Sequence, residues 1–64
     1  MTARFEYSGQ DDDDLRSRSG QVVEVIRPLT GDEVDLDEVG SMFQIRFEDG
    51  FVHDAFEDEL TFLD

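Results

Sequence analysis

The sequence predicts a small all-β domain: five short strands curled into a barrel, with long acidic loops and one helical turn near the C-terminus. Three observations lead there. Apolar residues alternate with polar ones in several short runs, the period of a half-buried strand. The run Gln21-Val22-Val23-Glu24-Val25-Ile26-Arg27 is dense in β-branched residues, which fit a pleated surface. Turn signals (Ser19-Gly20, Gly31, Gly40, Asp49-Gly50) separate the runs at short intervals. At 64 residues without cysteine, the chain is one domain that depends on its apolar residues, with no disulfide to help.

The elements follow in order. Ala3, Phe5 and Tyr7 alternate with Arg4 and Glu6, giving a first strand over residues 3–7. Ser8-Gly9-Gln10 and the run Asp11-Asp12-Asp13-Asp14 then read as a loop, with Leu15 an isolated apolar residue at its end. The second strand runs from Gln21 to Arg27 and stops near Pro28, which has no amide hydrogen for a ladder. Residues 30–41 hold five acids and read as a second long loop with room for a helical turn. Val34, Leu36 and Val39 in it either fold back as a lid or stay exposed, and the density of acids favours exposure. Phe43, Ile45 and Phe47 alternate through a third strand over 42–47. Asp49-Gly50 marks a tight hairpin into a fourth strand over 51–56. Residues 57–60 form the helical turn and 61–63 a short last strand. The expected core is Val23, Val25, Phe43, Ile45, Ala55 and Leu60.

Eighteen acids against five arginines leave a net charge of −13, with no lysine at all. Arginine-only basic usage fits a GC-rich coding bias or adaptation to salt. The charge repels phosphate backbones and is expected to exclude direct nucleic-acid binding. It attracts basic partners and speeds their encounter. High charge is also a mark of disorder, but six phenylalanines and the Val, Ile and Leu residues fall into discrete periodic segments, so the chain is expected to fold. No apolar run approaches a membrane span, and the first residues lack the apolar stretch of a signal peptide, so the expected location is cytoplasmic, without a membrane partner.

Chemistry-bearing patterns are sparse. His53 beside Asp54 suggests a base and its orienting acid, yet strand neighbours point to opposite faces. Residues 32–38 are rich in oxygen ligands, but a calcium loop begun at Asp35 puts Val39 at its fifth position and Arg46 at its twelfth. The glycines are scattered at turns and form no phosphate-binding loop. No cofactor, metal or catalytic residue is expected.

Taken together, the motifs resemble the Src-homology-3 domain. Ala3-Arg4-Phe5-Glu6-Tyr7 is similar to its Ala-Leu-Tyr-Asp-Tyr strand, and Asp13-Asp14-Leu15-Arg16-Ser17 to its Asp-Glu-Leu-Ser-Phe step. Gly20-Gln21-Val22-Val23-Glu24-Val25 resembles its Gly-Asp and following Ile/Val-rich strand. Met42-Phe43-Gln44-Ile45-Arg46-Phe47 stands where the paired-tryptophan strand would be, and residues 57–60 where the Ser-Asn-Tyr-Val turn would be. The resemblance implies a five-stranded barrel whose two long loops flank a peptide groove. The groove residues depart from the family, with Met42 for the first tryptophan, Phe56 for the proline and Glu59 for the tyrosine, which argues against a proline-rich ligand. A Tudor-like barrel would instead cage a methylated cation, with Tyr7, Phe43 and Phe51 as walls; core packing is the expected role of those rings.

The expected function is therefore a non-enzymatic, monomeric interaction module that recognises a basic protein surface or peptide. Its partner-binding residues are Asp11, Asp12, Asp13 and Asp14 in the first loop and Glu33, Asp35, Asp37 and Glu38 in the second. Tyr7 and Met42 form the apolar floor. The alternative is an acidic DNA mimic that presents carboxylates where a nucleic-acid-binding protein expects phosphates.

Overall fold

A computed structural model describes residues 1–63 and, at Val39, the backbone alone. The chain runs β1 (Thr2–Phe5), α1 (Asp13–Arg18), β2 (Val22–Pro28), α2 (Leu36–Val39), β3 (Met42–Arg46), β4 (Val52–Phe56), a one-turn 3₁₀ helix (Glu57–Glu59) and β5 (Leu60–Phe62). All pairings are antiparallel, in the order β4-β3-β2-β1-β5. No helix among the described residues is long and apolar enough to cross a membrane.

The sheet is open in its hydrogen bonding but curled in space. With strands spaced about 4.8 Å apart, β1 and β4, three places apart in the order, would lie about 14 Å apart in a flat sheet. Yet the rings of Phe5 on β1 and His53 on β4 meet at 6.1 Å. Likewise Phe43 on β3 and Phe62 on β5 meet edge-to-face at 5.5 Å. The two ends of the sheet therefore face each other across one core of Ala3, Phe5, Val23, Ile45, Phe47, Ala55 and Leu60. No ladder joins β4 to β5 among the described residues.

Period-two patterning places these side chains. Ala3 and Phe5 point inward and Arg4 outward; Ile45 is wholly buried and Arg46 exposed. Val25 and Phe43, expected inside, are half-buried and pack on the core from its margin. Gly50 closes the β3–β4 hairpin at φ +92°, a conformation glycine adopts without strain. In β2 the register slips between Val25 and Arg27, so Ile26 is an extra residue of a β-bulge.

Several boundaries differ from the sequence reading, and three of the differences have a visible cause. First, β1 ends at Phe5 because the next amides are taken elsewhere: Glu6 donates to the Glu59 carbonyl and Tyr7 to Ser19 Oγ. Second, the aspartate run is not all loop. Asp12 is the N-cap of α1, its carboxylate accepting from the amides of Asp14 and Leu15 at 3.0 and 3.1 Å. Asp13 and Asp14 occupy the positive N-terminal turn and Arg16 and Arg18 the last turn, the polarity a helix dipole favours. Leu15 is the residue α1 buries. Third, β5 begins at Leu60, as soon as the 3₁₀ turn ends. In the second loop Val34 is half-buried and Leu36 exposed, so these two do not form a lid; the Val39 side chain lies outside the described structure.

Candidate functional site

The first loop is a braced structure. The Tyr7 hydroxyl accepts from the Asp12 amide at 3.3 Å, and its half-buried ring lies so close to Gly9 that a Cβ there would strike it. Tyr7 is thus a post under the loop as well as a ring beside the core. Asp11 to Asp14 are all exposed. Asp13 lies 3.6 Å from Arg16, and Asp14 lies 3.7 Å from Arg18, so half of the run is locally offset. Arg18 reaches further, donating to both Asp49 oxygens at 3.1 and 2.9 Å and tying α1 to the β3–β4 turn.

In the second loop Glu33 has a fixed role. It accepts two bonds from the Arg27 guanidinium at 2.8 and 2.6 Å and one from the Thr30 amide at 3.0 Å. These bonds, from Arg27 first, lower its pKa from 4.5 to about 2. Because the folded value is depressed, the stabilisation is complete above pH 4.5 and is lost as pH falls towards about 2. Glu33→Gln should therefore be less stable than the parent at pH 7. The gap should close across that acid window and vanish below it, as read by thermal unfolding at a series of pH values. A gap unchanged between pH 7 and pH 2 would show that the carboxylate charge is irrelevant there. Asp35 caps α2 by accepting from the Asp37 amide at 3.2 Å, whereas Asp37 and Glu38 stand exposed. Glu33, Asp35 and Asp37 line one shallow hollow within this loop.

Between the loops lies an open groove of about 430 Å³. Ser8 comes from the first loop, Gly40 and Ser41 from the end of the second, and Phe56, Glu57 and Asp58 from the step between β4 and the 3₁₀ turn. None of the ten expected partner-binding residues lines it. Tyr7 and Met42 are chain neighbours of residues that do, and Met42 pairs across the ladder with Phe56. Phe56, 38 % exposed, is the apolar wall that sequence reasoning set aside as a lost proline.

Glu59 gives the groove its shape. It is a buried acid, 4 % exposed, and accepts from the Ser8 amide, the Ser8 hydroxyl and the Phe56 amide at 2.9–3.0 Å. A buried carboxylate requires such satisfaction. It clamps the start of the first loop to the end of β4, two parts of the groove 48 residues apart in sequence. The sequence marks Glu59 only as the residue standing for a groove tyrosine, and nothing in its pattern tells that this acid is buried.

The cage imagined for a methylated cation does not assemble. Phe43 pairs with Phe62, while Phe51 packs on Phe47 and stacks on half-buried His53. Among the described residues no group of three or more acids or histidines is placed to hold a metal ion. No family model, curated protein or solved structure matches the chain.

Proposed function

We propose that the chain is a Src-homology-3-like, non-enzymatic interaction module whose groove and acidic loops receive a basic protein surface or peptide. The carrying observation is the groove between Ser8, Ser41 and Phe56, which has an apolar wall, carboxylates of Glu57 and Asp58 at its lip, and an acidic loop on either side. The fold reading rests on the sequence of parts. A long first loop, a β-branched strand, a second long loop and a one-turn helix before the last strand follow in the order the resemblance implies, which supports the reading. The module acts in the cytoplasm as a monomer and needs no cofactor.

Charge and contact separate in kinetics. Long-range attraction governs encounter and is screened by salt, whereas apolar contact governs escape. Converting Asp11, Asp12, Asp13 and Asp14 together to Asn should slow association with an immobilised arginine–alanine repeat peptide about tenfold at low salt. It should also flatten the salt dependence. The fold should survive, because Asn caps a helix as well as Asp. Tyr7→Ala should act chiefly on dissociation, making it faster. Surface plasmon resonance across a salt series reads both rates. Association of the Asn variant at the parental rate at low salt would place the binding face elsewhere.

A further inference from the structure

We propose that the β3–β4 hairpin carries a guanidinium-binding site, filled in the free chain by its own Arg18 and open to exchange with an arginine of a docking partner. The exchange rests on the reading of the module as a receptor for basic surfaces; the site itself does not. Arg18 lies with its guanidinium carbon 4.3 Å from the Phe51 ring centre and 5.0 Å from that of Phe47. Its two terminal nitrogens form a fork onto Asp49. Two aromatic faces and one bidentate carboxylate match a planar guanidinium and fit a compact ammonium poorly.

The hairpin holds these walls without help from α1. Asp49 is fixed by the Phe51 amide, which donates to it at 3.1 Å. Phe47 is 2 % exposed, locked in the core against Phe5. Phe51 packs on Phe47 at 5.8 Å and on His53 at 6.3 Å. The present occupant is the less determined part. It is carried by a six-residue helix that buries Leu15 alone. Its Nε is buried without a hydrogen-bond acceptor, the Asp14 carboxylate standing 3.7 Å away. Arg18 thus fills the site with one donor buried and unmatched, a donor that an arginine entering from solvent need not bury.

Arg18→Ala empties the site, and N-acetyl-arginine amide is the probe, with N-acetyl-lysine amide at matched ionic strength as the control. At tens of millimolar, the arginine probe should raise the melting temperature of the variant by about 5 °C and shift the amide resonances of Asp49, Gly50 and Phe51. The lysine probe should do neither. Equal effects from both probes, or none at the hairpin, would overturn the site. Should Arg18→Ala not fold alone, Arg18→Lys is titrated in the same way, and the same two outcomes decide. Exchange is read on the unaltered protein: the arginine–alanine repeat peptide should speed hydrogen exchange at the α1 amides. Unchanged protection of α1 when the peptide is saturating would refute exchange while leaving the site standing. Failure of the loop-asparagine test bears on neither measurement made with the single-residue probe.

Discussion

Replacing Phe5 by alanine is expected to leave the domain unfolded or close to it. The ring is wholly buried and meets Phe47 at 5.4 Å and His53 at 6.1 Å, so from β1, next to one edge of the sheet, it reaches the strand at the opposite edge. Removing a buried phenylalanine side chain costs about 3–5 kcal/mol through lost transfer energy and the cavity left behind. A domain of 64 residues has a total stability of roughly 3–10 kcal/mol at typical values per residue. The loss is therefore comparable with the whole. The urea midpoint should collapse, or the circular dichroism of the unfolded chain should appear without denaturant. Phe5→Leu keeps an apolar filling and should retain a cooperative transition. A midpoint for Phe5→Ala within error of the parent would mean that the curl does not depend on this ring.

The strands were legible because their information is local. Val23, Ile45 and Ala55 point inward where a period of two puts them, and Asp49-Gly50 turns the chain where glycine permits a positive φ. Phe5 and Phe47 were underused as core residues because alternation names a face without saying which face is enclosed. The helix α1 was missed for a definite reason. Four consecutive acids look like a solvated loop by composition, while the order of charges, an aspartate cap followed by acids and then arginines, is a helix signature.

The candidate site was only half legible. Its acidic flanks follow from composition, but its lining brings together Ser8, Ser41 and Phe56, which no spacing rule connects. Glu59 and Arg18 show the same limit more sharply. One is a buried acid among eighteen acids and the other a half-buried arginine among five, and each is selected by partners distant in sequence. Sequence periodicity reports burial of apolar faces; it carries no signal for a long-range polar clamp.

Salt is expected to change stability more than any single surface substitution. The charge of −13 is confined in a globule whose radius of gyration is 11.2 Å. Spreading it over a sphere of that size, and over the roughly twofold larger unfolded coil, gives a folding penalty of about 10 kcal/mol at 10 mM salt and about 3 kcal/mol at 1 M. The first figure is as large as the total stability of such a domain, so the fold should be marginal at low ionic strength. The ion pairs of Arg16, Arg18, Arg27 and Arg46 relieve this locally. They leave the net charge unchanged, and exposed pairs contribute little. Sodium chloride should therefore raise the melting temperature steeply up to a few hundred millimolar and then more slowly, as the Debye length shrinks below the spacing of the acids. The Asp11-to-Asp14 asparagine variant, with four charges fewer, should begin from a higher melting temperature at low salt and respond less. The gap between its curve and the parent's should shrink to about a third of its low-salt size by 1 M. A parental melting temperature that is flat or falling with salt would mean that the arginine pairs, and not the net charge, set the electrostatics of folding.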